Sequence, residues 1–337
     1  MSIQEIRRDL ALAAGILRKQ PFSVLIQVSN RCNMRCSFCQ FWSNGVRPEL
    51  ELTLADFERL EAELFDIGRF VISIEGGEPF VRPDIVDIVR ILSRRHAAVL
   101  YTNGWYITEE VAAELFTTGL SQVGVSIDFP DAARHDKKRG LVGGWERAWR
   151  AVEWLRDAAP HGGRQVHVMT VYMEENRRDF EAMLAQSAAR GVGHYITLLA
   201  IQGTRRDPEG GHWPTEPISE DLLRLWNRHP HFRVFQDYLS LMDPFLEQRD
   251  MPACRAGHQS FNIDHLGNVA PCIEKIDEPA GNVREEPLAD ILERLAEADA
   301  GRGCQECWTL CRGISQVLGD GGSPRAWRDF TTRLRSR

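Results

Sequence analysis

Residues 23–39 read SVLIQVSNRCNMRCSFC. The first seven, Ser23–Ser29, are rich in apolar and β-branched side chains, the pattern of a buried strand. The strand runs straight into Cys32, Cys36 and Cys39, spaced C-x3-C-x2-C. Three thiols on one tight loop can hold three irons of a cubane cluster and leave the fourth iron open, whereas a typical ferredoxin cluster takes four cysteines. The competing reading is a zinc loop. It needs a fourth ligand, such as His135 or His167, and zinc ligands are seldom spaced as this triplet is.

Outward from this loop, strand and helix signals alternate. Helical periodicity over Leu54–Phe65, with Thr53 or Asp56 to cap it, is followed by a strand at Phe70–Ile74. Pro83 opens a helix to Arg95, and Ala97–Thr102 is a strand ended by Asn103-Gly104. Thr108 caps a helix that Gly119 closes, then Gln122–Ile127 is a strand and Trp145–Asp157 a helix. Gln165–Tyr172, a helix from Asn176 to Arg190, and a strand at His194–Ala200 complete the alternation. This α/β pattern predicts a parallel sheet curled into a partial (β/α)6 TIM-like barrel, with loops gathered at the C-terminal ends of the strands. The motifs fall there: Cys32 after the first strand, Glu75-Gly76-Gly77-Glu78-Pro79 after the second, Asn103 after the third and Asp128 after the fourth.

Beyond Ala200 the alternation stops. Gln202–Pro217 is rich in Gly, Pro and Arg and reads as a mobile loop. Helices are expected at Ser219–Arg228, Gln236–Gln248 and Pro287–Ala298, and a hairpin over Phe261–Ala270 turning at Leu266-Gly267-Asn268. The expected organisation is an N-terminal helix (1–22), the partial barrel (23–217), a helical linker (218–253), a small Fe–S module (254–315) and a C-terminal tail (316–337).

Composition narrows the function. Of 337 residues, 43% are apolar, enough for one large core and a small module, and the net charge of −7 argues against coating a nucleic acid. The short apolar stretch Leu10–Leu17, broken by Gly15, cannot span a bilayer and lacks a cleavage site. Ile3, Ile6, Leu10 and Leu17 instead suggest an amphipathic helix packed on the domain, with a membrane-surface helix as the alternative. The cytosol is the expected location. Eight cysteines there are metal ligands rather than disulfides. None falls between Cys39 and Cys254, so two separate metal centres are expected.

The triplet, in its place after the first strand, resembles the signature of the radical S-adenosylmethionine (SAM) superfamily. Phe38 stands where that family carries an aromatic residue near the adenine, and Gly76-Gly77-Glu78-Pro79 resembles its GGEP motif. The resemblance implies that Glu78 pairs with the methionine ammonium, that the two glycines allow close approach to the ligand, and that Pro79 stiffens the turn. Thr102-Asn103-Gly104, Val125-Ser126-Ile127-Asp128, and Thr170 with Asn176 resemble further SAM-contacting segments. His135-Asp136-Lys137-Lys138-Arg139-Gly140 resembles a stretch common in relatives with C-terminal clusters.

Cys254-x12-Gly267-x4-Cys272 resembles the opening of the SPASM and twitch subgroups, and Cys304-x2-Cys307 their next pair. A full SPASM module has seven cysteines and two auxiliary clusters; this chain has five, with Ser315 where another is expected. The resemblance therefore implies one auxiliary [4Fe–4S] cluster, on Cys254, Cys272, Cys304 and Cys307, with Cys311 as a substitute. A structural zinc ribbon is the alternative.

The family mechanism follows as an implication. The open iron chelates SAM, one electron splits its sulfur–carbon bond, and the 5′-deoxyadenosyl radical takes a hydrogen atom from the substrate. A reductant such as flavodoxin or ferredoxin is implied. Relatives that oxidise alcohols or thiols carry Asp after the hairpin's second cysteine; here Ile273 stands there and Glu274 follows, so Glu274 is the candidate base, with Tyr172 and His194 behind it. Two substrate classes compete: a small molecule (sugar, nucleoside, lipid or natural-product precursor) and a peptide that would gain a crosslink, thioether or inverted centre. A non-catalytic Fe–S electron carrier is the minor alternative.

Overall fold

The computed structural model describes residues 3–43, 45–200, 211–299, 301–319 and 322–334. In chain order its elements are α1 (Ile3–Leu17), β1 (Ser23–Ser29), α2 (Leu54–Ile67), β2 (Val71–Gly76), α3 (Ile85–Ser93), β3 (Ala97–Thr102), α4 (Glu109–Thr117), β4 (Gln122–Ser126), α5 (Ala132–Arg139), α6 (Gly144–Ala158), β5 (Val166–Val171), α7 (Phe180–Ala189) and β6 (Gly193–Thr197). There follow α8 (Ser219–Arg228), α9 (Gln236–Ser240), α10 (Met242–Leu246), β7 (Ser260–Ile263), β8 (Asn268–Ala270), β9 (Gly281–Asn282), α11 (Leu288–Ala298), α12 (Leu310–Leu318) and α13 (Pro324–Asp329).

Strands β1 to β6 pair in chain order, all parallel. Alternation within β1 explains the layering. Val24, Ile26 and Val28 are fully buried in the main core, while Ser23 and Leu25 line the hollow on the other face of the sheet. The C-terminal hairpin is not a separate sheet. Its first strand, β7, lies parallel to β1 with Ser23 opposite Ser260 and Ile26 opposite Ile263, and β8 and β9 continue the same nine-stranded sheet antiparallel. The module expected at 254–315 therefore extends the barrel's own edge.

Local chemistry sets the ends. Thr53 and Asp56 cap α2 reciprocally, and Thr108 accepts from the Val111 amide at the start of α4. The stretch expected as one helix over Gln236–Gln248 splits at Leu241, because Pro244 has no amide hydrogen for the Ser240 carbonyl. Helix α5 has no apolar stripe to betray it; Asp131 caps it and Gly140, at φ 67°, ends it. Of the expected mobile loop, residues 202–210 lie outside the described residues and 211–217 form turns. Residues 316–337, expected as a tail, include the end of α12 and all of α13, where Asp329 accepts from the backbone and side chain of Gln236.

One expectation is overturned. Ile3, Ile6, Leu10 and Leu17 do not pack into the core; they are 71%, 41%, 66% and 61% exposed. Leu12 and Ile16 anchor α1 instead. Among the described residues no helix is long and apolar enough to cross a membrane.

Candidate functional site

Cys32, Cys36 and Cys39 all line one cavity of about 560 Å³ inside the sheet. Their loop is gripped from two sides. The end of α5 accepts its amides, Arg35 to the Arg139 carbonyl and Ser37 to the Lys138 carbonyl, each at 3.0 Å. The end of β2 donates to the backbone just before it, Gly77 to Ser29 at 2.7 Å and Glu78 to Arg31 at 2.9 Å. Burial pushes the Cys32 thiol up to about 11 and Cys36 to about 12; neighbouring thiols add to this and Arg139 opposes it. Three thiols facing one space, with ionisation suppressed until a cation arrives, are the donor set a cluster needs.

The glycines of the GGEP stretch also serve packing. A Cβ on Gly76 would stand 2.1 Å from the Ser29 carbonyl oxygen, and one on Gly77 2.2 Å from that of Arg31. They allow backbone to approach backbone, docking β2 against the cysteine loop, and both still border the cavity. The Glu78 carboxylate is already engaged. It accepts from the Thr102 hydroxyl (2.7 Å), the Asn103 amide (2.7 Å) and the Phe80 amide (3.1 Å). Burial raises it to about 7 against those three donors. Its visible work is to fix the turn that presents Asn103, while Pro79 opens a short 3-10 turn beside it.

Phe38, Gly76, Gly77, Asn103 and Ser126 join the thiols on the cavity wall. Asn103 is steadied by donating to the Asn33 side-chain oxygen at 2.8 Å. Glu78, Pro79, Asp128, Thr170 and Asn176 stand behind that wall, outside its lining. Asp128 accepts from the Val171 amide and from Arg139; Asn176 donates to the carbonyls of Asp128 and Val171; Thr170 donates to the Ile127 carbonyl. These are positioning residues for the ends of β4 and β5.

Three further residues line the cavity: Arg139 and Glu75, which the motifs contain without assigning them a role, and Tyr101. Arg139 is buried 2.7 Å from Asp128 and 5.6 Å from the Phe38 ring centre. Burial alone would lower it, but Asp128 and the thiols hold it protonated. Glu75 and Tyr101 face the interior. Strand parity held the signal, since Val71, Ser73 and Glu75 alternate inward. Burial, with Tyr195, Glu75 and Cys311 nearby, pushes the Tyr101 phenol well above its usual range, so it stays a neutral donor.

The second group of thiols is built differently. Cys254, Cys272, Cys304, Cys307 and Cys311 line one small cavity of about 40 Å³. The hairpin delivers Cys272: Gly267 turns it at φ 92°, and Asp264 accepts from the amides of Leu266 and Asn268. Arg312 gathers the rest, donating to the carbonyls of Cys307 (2.7 Å), Pro252 (3.1 Å) and Cys304 (3.2 Å). Burial raises the thiols of Cys254, Cys272 and Cys307. Among the described residues no three His, Cys, Asp or Glu side chains stand close enough to share a single ion; both groups are spread around a space instead. Cys311 borders both cavities.

The three expected bases lie off the large cavity. Glu274 lines the small cavity beside Cys272 and not the large one. Tyr172 is buried edge-on against Phe180, and His194 is held neutral by burial, at about 3, between Thr170 and Ser187. Neither borders the large cavity.

Residues 26–186 match the profile of the Radical SAM superfamily, and residues 254–312 that of SPASM, an iron–sulfur cluster-binding domain. The chain is 31% identical to an Fe-coproporphyrin III synthase of Methanosarcina barkeri, over 91% of this chain and 86% of the relative. It is 28% identical to the mycofactocin maturase MftC of Mycolicibacterium smegmatis, over 87% and 77% respectively. Its fold resembles the crystal structure of Streptococcus suis SuiB bound to precursor peptide SuiA, with a TM-score of 0.67 at 16% identity, covering 98% of this chain and 78% of that one.

Proposed function

Because this chain belongs to the radical SAM superfamily and carries a C-terminal SPASM domain, we propose that it draws a hydrogen atom from a small-molecule substrate held in the barrel cavity, with one auxiliary [4Fe–4S] cluster alongside. The observation that carries this reading is that Cys32, Cys36, Cys39, Gly76, Gly77, Asn103 and Ser126 share one cavity wall with the inward faces of the strands. A cofactor and a substrate can therefore meet in one space.

The donor sets fit the two clusters. Cys32, Cys36 and Cys39 would hold the first, and Cys254, Cys272, Cys304 and Cys307 the second, with Cys311, which borders both cavities, as a substitute ligand. When bound, SAM and its cluster supply one-electron cleavage to a carbon radical. The chain's own residues do the rest. Arg139 places a fixed positive charge beside the thiol loop, Glu78 holds Asn103 at the wall, and Phe38 offers an aromatic face. The apolar lining keeps water from a reactive radical. An external one-electron donor such as flavodoxin or ferredoxin completes the cycle.

A peptide substrate is the second reading, favoured by the MftC and SuiB likenesses; the Fe-coproporphyrin III synthase likeness favours the first. Anaerobic reconstitution with iron, sulfide, SAM and dithionite tests the shared core. We expect 5′-deoxyadenosine from the wild type and none from Cys36→Ala. Unchanged turnover in that variant would refute it.

A further inference from the structure

We infer that the substrate carries an extended apolar portion, an aliphatic chain or fused hydrophobic rings, which fills the lower half of the barrel and enters between α1 and the C-terminal helices. This rests on the reading that the barrel cavity is the substrate site.

The cavity does not stop at the thiol loop. It continues to the beginnings of the strands, where Ser23, Val71, Ala97 and Ser121 line it. In a closed α/β barrel that level is filled by branched side chains stacked in layers. Here Ser23, Val71 and Ala97 stand in register on three adjacent strands, and the small side chains of Ser23 and Ala97 leave that level hollow. The floor is apolar, formed by Leu12 and Ile16 of α1 and Ile314 and Leu318 of α12.

The rim accounts for two of the four exposed apolar residues of α1. Ile6 and Leu10 border this same cavity, as do Trp327 of α13 and Phe330 just beyond it. Single exposed apolar side chains mean little, but several around one opening mark a site for an apolar ligand. The charges at the base are spent within the chain. Arg8 pairs with Asp9 at 2.9 Å and also donates to the His96 carbonyl and the Ser121 hydroxyl. A sugar or aminocyclitol placed here would lose its hydration against hydrocarbon, whereas an alkyl chain or ring system would gain from burial. The polar end of such a molecule would lie higher, near Ser126, Tyr101 and Asn103.

The test uses the anaerobically reconstituted protein and N-phenyl-1-naphthylamine, whose fluorescence rises in apolar surroundings. We expect saturable binding, displaced by 1-dodecanol and not by glucosamine. Ala97→Phe, which fills the base, should weaken it about tenfold, and the exposed pair Ile6→Ser/Leu10→Ser about threefold. Wild-type binding in a folded Ala97→Phe variant, or equal displacement by glucosamine, would overturn the inference. So would normal probe binding by Ile6→Ser/Leu10→Ser together with loss of sedimentation on 3:1 phosphatidylcholine–phosphatidylglycerol vesicles, which would assign the rim to a membrane. Assaying 5′-deoxyadenosine in parallel separates the two readings: probe binding reports on the base of the barrel, SAM cleavage on the thiol loop.

Discussion

The two cysteine groups solve opposite problems. The N-terminal three sit on one loop and open onto a cavity of about 560 Å³. The C-terminal five come from three separate stretches of chain and close around about 40 Å³. Both are clamped by a buried arginine, but with different partners. Arg139 pairs with the carboxylate of Asp128, while Arg312 spans three backbone carbonyls. An open set leaves room for a second molecule at the metal; a closed set binds metal and excludes one. Cys311, on both walls, marks where the two come nearest.

The largest effect that sharpens this contrast comes from cysteine deletion. Cys36→Ala should abolish 5′-deoxyadenosine formation and reduce iron from about eight to about four per chain. Cys272→Ala should lose a similar amount of iron yet keep SAM cleavage within about tenfold of wild type. If the two variants behaved alike, the division of labour would fail.

Next come the clamps. Arg139→Met leaves Asp128 buried and unpaired, with an expected loss of about 3–5 kcal/mol in denaturant unfolding. Arg312→Met strips donors from carbonyls, with an expected loss of about 1–3 kcal/mol. The reverse order would show that the closed site carries more of the stability.

Much of the first region was legible in advance, and the reason is local. A strand followed by C-x3-C-x2-C, and a GGEP stretch after the next strand, are contiguous signals, and both fall where β1 and β2 end. What stayed hidden depends on tertiary packing. Helix α5 is polar along its length because its buried face is His135 and Arg139, so periodicity gave no sign of it. Nor does spacing reveal that β7 pairs with β1, or that Glu78, Asp128, Thr170 and Asn176 back the wall rather than form it. Nor does the place of Glu274 after Cys272 tell which of the two cavities it lines.

A smaller effect concerns pH. Glu78 is raised from its ordinary 4.5 to about 7 by burial, so the folded chain holds that proton more tightly than the unfolded one. Its contribution to stability is greatest below about pH 4.5, falls as pH rises to about 7, and is flat above. Glu78→Gln should remove this slope from the pH dependence of unfolding, while no matching slope in that window is expected from the C-terminal thiols. A slope unchanged in Glu78→Gln would contradict the assignment. The smallest expected effect is at the hairpin: Gly267→Ala, at φ 92°, should cost about 1 kcal/mol and leave SAM cleavage intact.

The most direct test of the open-versus-closed contrast is the electron paramagnetic resonance spectrum of the dithionite-reduced protein with and without SAM. The account predicts that SAM alters the cluster signal in wild type and in Cys272→Ala, and leaves the signal remaining in Cys32→Ala/Cys36→Ala/Cys39→Ala untouched. A SAM-induced change that survives in the triple variant would contradict it.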